Sequence, residues 1–218
     1  MNSILTTEGA KIVDALIEAI HAHAQKLSDI DGAIGDGDHG VNMNKGFTLV
    51  AAELTNHPGN LSQGLSVISR TLMNSIGGAM GPLYGMFFQG LAKGCDGKER
   101  IDAEVFEHML GAAETSLRSI TEAEVGDKTL MDAFVPAVGA YRRARAENRS
   151  FAEALEAMAE AAEHGRDATR DLVAKIGRAS RLGERSRGTQ DAGATSCALL
   201  LRTMADSIKK LLASPKEV

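Results

Sequence analysis

Apolar positions recur along most of the chain with the 3.6-residue spacing of helices that bury one face. Ile12, Val13, Leu16, Ile17 and Ile20 form the first stripe, and Phe106, Met109, Leu110, Ala113, Leu117 and Ile120 another. Met131, Phe134, Val135, Val138 and Tyr141 repeat the pattern, as do Leu200, Leu201, Met204, Ile208, Leu211 and Leu212. The run Leu199-Leu200-Leu201 widens the last stripe, as expected of a helix covered on more than one side. Ser150 with Glu153, and Thr129 with Asp132, have the spacing of capping boxes at helix starts. Thr195 or Ser196 is the expected cap of the last helix. No alternating run of five or more residues and no Asn-Gly hairpin turn signals a strand. The pattern predicts eight helices, at about 8–27, 41–55, 62–76, 81–94, 103–120, 130–147, 151–176 and 194–213. Connections are short except 28–40, 77–81 and 177–193. This predicts an all-α fold, with helices packed antiparallel around one core, as a single domain over 1–218.

Composition changes this picture in one respect. The 218 residues include 23 glycines but 6 Phe, 2 Tyr and no Trp. Five glycines fall in 32–46, seven in 77–97 and four in 177–193, near predicted helix ends. The 44% hydrophobic content excludes a disordered chain. A formal net charge of −5 speaks against a nucleic-acid partner. No apolar run approaches the ~18 residues of a membrane span. The first residues lack the basic and apolar regions of a secretory signal. Cys95 and Cys197 form no CxxC motif. Together these predict a cytoplasmic protein in a reducing compartment.

Candidate chemistry gathers in the long connections. Asp31, Asp36 and Asp38 lie within eight residues, among glycines that let the chain turn them to one point. Carboxylates ~4 Å apart repel by about 4 kcal/mol at an effective dielectric of ~20, and a hard divalent cation removes that repulsion. The competing reading is an acidic turn that favours the dipole of the helix after it. Gly35-x-Gly37-x-x-Gly40 matches a dinucleotide fingerprint, but no strand precedes it and Asp36 and Asp38 occupy inner positions where a pyrophosphate tolerates no acid. An EF-hand loop from Asp36 would need Glu where Phe47 stands. Gly126-Asp127-Lys128-Thr129 lacks the GK[ST] adjacency of a P-loop. Gly77-Gly78-Ala79-Met80-Gly81-Pro82 runs into a helix start, whose free amides suit an anion such as phosphate. Close helix packing through glycine explains it equally well. Four arginines in 178–187 supply either phosphate donors or a solvated basic loop.

Taken in order, these segments resemble a known family. Asp31-x-x-Ile34-Gly35-Asp36-Gly37-Asp38-His39-Gly40-x-Asn42-Met43, Gly77-Gly78-Ala79-x-Gly81-Pro82-Leu83-x-Gly85, Gly126-Asp127-Lys128-Thr129, Gly177-Arg178-Ala179-Ser180-x-Leu182-Gly183-Glu184-Arg185-Ser186 and Asp191-x-Gly193-Ala194-Thr195-Ser196 look like the L subunits of bacterial dihydroxyacetone kinases. The resemblance spans essentially the whole chain. It implies a barrel of eight antiparallel helices with a nucleotide site at one end. It implies Mg²⁺ on Asp31, Asp36 and Asp38, and ADP or ATP lined by His39, Gly40, Val41 and Asn42. Gly78, Ala79 and Met80 would meet phosphate through backbone amides, Met80 standing where many relatives carry Ser. Thr121 and Leu130 would lie near the base, and Arg178 with Asp191, Ala192 and Gly193 would close the site. Asp31, Asp36, Asp38 and Arg178 would carry the phosphoryl transfer, with the charge neutralisation such chemistry needs.

In the family the ketone is held by a separate K-type subunit, so the resemblance implies that partner. A phosphocarrier M-type subunit is implied where phosphoenolpyruvate is the ultimate donor, the version typical of separate L chains. A homodimer is also compatible. Two other readings stand beside it. One is a subunit of an ATP-dependent kinase for dihydroxyacetone or a four-carbon ketose. The other is a non-catalytic regulatory partner that binds metal or nucleotide.

Overall fold

A computed structural model describes residues 2–55 and 59–214; the extreme ends of the predicted 1–218 domain lie outside the described residues. Among the described residues the chain forms eight α-helices, α1 (Gly9–Ile34), α2 (His39–Leu54), α3 (Leu61–Ser75), α4 (Met80–Cys95), α5 (Ala103–Arg118), α6 (Met131–Ala146), α7 (Phe151–Ala168) and α8 (Ala192–Ala213). Each helix packs on the next in chain order, and α8 returns to α1, so the ring closes. In such an up-and-down ring every second connection lies at the same end. The connections α1–α2, α3–α4, α5–α6 and α7–α8 therefore meet. The predicted all-α antiparallel barrel is the observed fold.

The predicted stripes line the interior, except that Ile120 falls past the end of α5 and is exposed. Ile12, Leu16 and Ile20 of α1, Phe106 and Leu110 of α5, Phe134 and Tyr141 of α6, and Leu200, Leu201 and Ile208 of α8 are fully buried. The few aromatics are concentrated here. Phe87 packs edge-on against Phe88 and Phe134, at ring distances of 5.1 and 5.3 Å. Phe47, Phe88, Phe87 and Tyr84 continue as a row of edge-on contacts that ends beside His39.

Several boundaries differ from those predicted, for local reasons. Helix α1 runs to Ile34 rather than residue 27, because Leu27 and Ile34 continue its buried stripe past the polar Ser28-Asp29. Asp31 is therefore a helical residue near the C-terminus of α1, not part of a loop. Helix α7 stops at Ala168, before the predicted 176; a 3₁₀ turn, Thr169–Asp171, follows it. The Ser150–Glu153 capping box is present in full. The Thr129–Asp132 box is half formed: Asp132 accepts from the Thr129 amide at 2.7 Å, while Thr129 Oγ1 accepts from Met131. Asp191, not Thr195 or Ser196, caps α8, accepting from the Ala194 amide at 2.7 Å. Two three-residue strands, β1 (Ser3–Leu5) and β2 (Arg100–Asp102), pair antiparallel with Ile4 opposite Ile101. They are too short to show an alternation in sequence.

The glycines serve both purposes expected of them, close packing and turning. Inside helices they permit close approach. A Cβ on Gly90 of α4 would lie 2.4 Å from the Cα of Ala113 in α5, and one on Gly94 2.4 Å from the Cα of Met109. A Cβ on Gly40 would lie 1.9 Å from the Ala24 carbonyl of α1. The others turn the chain; Gly37, between the two aspartates, has φ +75°.

Candidate functional site

At the end where the four connections meet lies a cavity of about 390 Å³, a size within the usual range for small-molecule sites. Each connection supplies part of its wall. Asp31 comes from the last turn of α1, and Asp36 and Asp38 from the four-residue turn that follows. Oxygens of all three carboxylates lie within 4.8 Å of one another. The His39 amide, at the start of α2, donates to Asp31 Oδ2 at 3.3 Å and fixes one edge of the group. Crowded oxygen donors at this spacing suit a hard divalent cation. Mg²⁺ fits these residues on that ground.

Across the cavity α4 begins at Met80, after Gly78 with φ +71°. The first amides of a helix, here Met80 and Gly81, have no partner within it and carry partial positive charge. The third wall comes from α5–α6, with Thr121, Ala123, Leu130 and Met131. Lys128 and Thr129 of the same connection also line the cavity, so this wall is apolar at Ala123, Leu130 and Met131 and polar beside them. The fourth wall comes from α7–α8. Here Arg178 pairs with Asp36, and with Asp38 at 3.3 Å. These two carboxylates raise its pKa further and hold its guanidinium charged.

Beneath the acidic group runs a chain of hydrogen bonds. His39 Nε2 lies 2.8 Å from Ser196 Oγ, which lies 2.6 Å from the Tyr84 hydroxyl. Tyr84 in turn donates to the Gly193 carbonyl at 3.0 Å. Burial lowers the His39 pKa, opposed by the charges of Asp31 and Asp38, so the imidazole is mainly neutral at pH 7. Burial pushes the Asp191 carboxyl up to about 7; the Ala194 amide opposes the shift, as does Lys128, while Asp132 and Asp31 add to it.

Of the expected site residues, Asp31, Asp38, His39, Asn42, Gly78, Ala79, Met80, Thr121, Leu130, Arg178, Asp191, Ala192 and Gly193 line the cavity. Asp36 joins them through the carboxylate group. Gly40 and Val41 do not line it. With about 100° per residue, His39 and Asn42 share one face of α2, Gly40 turns to α1, and Val41 is 62% exposed. Tyr84 and Lys128 line the cavity as well; Lys128 belongs to a matched motif, whereas Tyr84 falls at an unspecified position of one. In sequence Ser196 is a candidate helix cap and a position of a matched motif, with nothing to link it to His39. A hydroxyl that is 0% exposed next to a helix start carries no signal of its own in sequence.

Residues 33–206 match the DAK2 domain family. The chain is 38% identical to the ADP-binding subunit DhaL of the PEP-dependent dihydroxyacetone kinase of Escherichia coli K12, over 86% of this chain and 90% of that one. It is 37% identical to the ADP-binding subunit DhaL of PEP-dependent dihydroxyacetone kinase 1 of Listeria innocua, over 86% of this chain and 89% of that one. Among solved structures it resembles the dihydroxyacetone kinase of C. freundii in complex with AMP-PNP and Mg²⁺, with a TM-score of 0.65 at 23% identity. That match covers 91% of this chain and 33% of the longer kinase, and it concerns the fold. Helix ring, acidic group and similarity over most of the chain agree, and the chain belongs to the DAK2 domain family, alongside the ADP-binding subunits of dihydroxyacetone kinases.

Proposed function

We propose that the chain is the nucleotide-binding subunit of a dihydroxyacetone kinase, a phosphotransferase with an alcohol acceptor. The observation that carries this is one cavity with three convergent carboxylates on one wall and the free amides of α4 on the other. It is supported by the similarity to subunits named as ADP-binding. Asp31, Asp36 and Asp38 would hold Mg²⁺, which supplies charge neutralisation for a diphosphate. Backbone amides at Ala79 and Met80 bind and orient the phosphates. His39 and Asn42 flank the same phosphates from α2. Thr121 and Leu130 receive the base in the apolar part of the cavity. Arg178, now shared between Asp36 and Asp38, is placed to turn its planar donors onto phosphate oxygen. Asp191, Ala192 and Gly193 close the remaining side.

Among the described residues no second set of convergent polar groups for a sugar stands out; as in the family it resembles, the ketone would be offered by a K-type subunit docked at the mouth of the cavity. A phosphocarrier subunit then restores the nucleotide, as the PEP-dependent names of the relatives suggest. The test is calorimetric titration of ADP with and without Mg²⁺. Replacing Asp36→Asn together with Asp38→Asn should lower the Mg²⁺-dependent affinity by more than about a hundredfold, beyond the loss typical of residues that only support a ligand. Unchanged affinity overturns the assignment. Reconstitution with a K-type subunit and dihydroxyacetone, given either ATP alone or phosphoenolpyruvate with phosphocarriers, identifies the donor.

A further inference from the structure

Lys128 stands in the Gly126-Asp127-Lys128-Thr129 motif, to which the proposed chemistry assigns no task. Its side chain is 2% exposed. The backbone there is left-handed, with φ 65°, a conformation that non-glycine residues seldom adopt. The ammonium donates to three main-chain carbonyls, of Leu172 at 3.1 Å, Ser186 at 2.6 Å and Thr189 at 2.7 Å. Among the described residues it forms no ion pair. A buried ammonium is costly unless its hydrogen bonds are met, and here all three donors are used.

The three carbonyls belong to the two limbs of one segment. Residues 169–191 connect α7 to α8 without an α-helix; their helical parts are the 3₁₀ turns Thr169–Asp171 and Ala179–Ser186. Leu172 lies on the outgoing limb, and Ser186 and Thr189 on the returning one. Around the lysine the same limbs are laced together. The Ala174 amide donates to Ser186 Oγ at 2.9 Å and the Gly188 amide to the Arg170 carbonyl at 2.8 Å, while the Lys175 amide ties the outgoing limb to the Asp127 carbonyl, next to Lys128, at 3.2 Å. Arg178 projects from the tip, between these tied limbs, and reaches Asp36 and Asp38. Among the described residues the tip meets the rest of the protein through contacts with α1 and through the Arg178 pairs, whose arginine side chain is 53% exposed.

We propose that Lys128 is a positioning residue for Arg178, a fixed internal cation that clamps the limbs of 172–189 and so holds the arginine over the acidic group. The assignment rests on the proposed nucleotide site for its effect on binding, but the clamp itself is testable without nucleotide. In the wild-type protein, hydrogen exchange should be slow at the amides of Ala174, Lys175 and Gly188 and fast at the tip. Uniformly fast exchange across 172–189 overturns the proposal, whatever the variants do.

Lys128→Met keeps the length of the side chain and removes its donors. Hydrogen bonds to a charged group are strong enough that their loss should raise opening of the segment about tenfold or more. Trypsin then cuts after Arg178, Arg181 and Arg185 correspondingly faster, while exchange in α4 and α5 stays at its wild-type rate. Lys128→Gln, which restores amide donors, should fall between. The Mg²⁺–ADP affinity should drop about tenfold in Lys128→Met but less than about twofold when Arg178→Ala is already present, the non-additivity expected of residues acting as a unit. An unchanged tryptic rate in folded Lys128→Met refutes the clamp. Equal affinity losses in both backgrounds refute its action through Arg178. Failure of the nucleotide reading alone would leave the exchange and proteolysis results standing.

Discussion

Removing one hydroxyl, in Ser196→Ala, tests whether the chain of hydrogen bonds beneath the acidic group is part of what holds the site end of the ring together. Ser196 is 0% exposed and its Oγ meets His39 Nε2 at 2.8 Å, the Tyr84 hydroxyl at 2.6 Å and the Ala192 carbonyl at 3.0 Å. After substitution Tyr84 keeps the Gly193 carbonyl, whereas His39 Nε2 loses its partner. A net hydrogen bond is worth about 1 kcal/mol and a stranded polar group costs about 1–3 kcal/mol, so the expected loss is about 2–3 kcal/mol. For a chain of this size that lowers the melting temperature by about 4–12 °C. Calorimetric melting of nucleotide-free protein measures it, with urea unfolding as a check. Tyr84→Phe removes a single hydroxyl and should cost about 1 kcal/mol. Because the two hydroxyls share one contact, the double variant should lose less than the sum, by about 0.5 kcal/mol or more. A Ser196→Ala protein within about 0.5 kcal/mol of wild type, the range of inert surface changes, refutes the reasoning. Strict additivity refutes it too.

Other expectations follow from packing and charge. Gly90→Ala places a Cβ 2.4 Å from Ala113 Cα and 2.5 Å from the Ala112 carbonyl, so α4 and α5 must part, at a cost of about 3 kcal/mol in urea unfolding. Gly77→Ala, where a Cβ meets nothing within 4 Å, should change stability by less than about 0.5 kcal/mol. Asp191, with its pKa pushed up to about 7, binds a proton in the native state over a range where the unfolded chain has released it. Its contribution to stability therefore falls as pH rises through 7. Asp191→Asn, still a good cap, should flatten the urea midpoint between pH 5 and 8; identical slopes would contradict this.

Much of the fold was legible because its causes are local. The stripe Ile12, Leu16, Ile20 and the Ser150–Glu153 box depend on residues three and four apart, which sequence displays directly. Boundaries failed where a tertiary partner intervened. Asp29 and Asp31 look like a turn, yet α1 continues through them because Ile34 has a core to enter. Helix α7 looks continuous to 176, yet Thr169 turns its hydroxyl back to Arg166 and takes the Asp191 amide, ending the helix against α8.

The candidate site divides along the same line. By itself the sequence determined that three carboxylates fall within eight residues, that a glycine-rich turn opens α4, and that arginines gather late in the chain. Only the tertiary structure decided that these share one cavity. Arg178 meets Asp36 across 142 residues, and His39 meets Ser196 across 157. Contacts that distant arise only because eight helices alternate in direction and the last closes on the first, which delivers every second connection to one end. The same closure decides which glycines are packing surfaces and which are turns. It also puts the ammonium of Lys128 inside the protein, where its three carbonyls become binding partners.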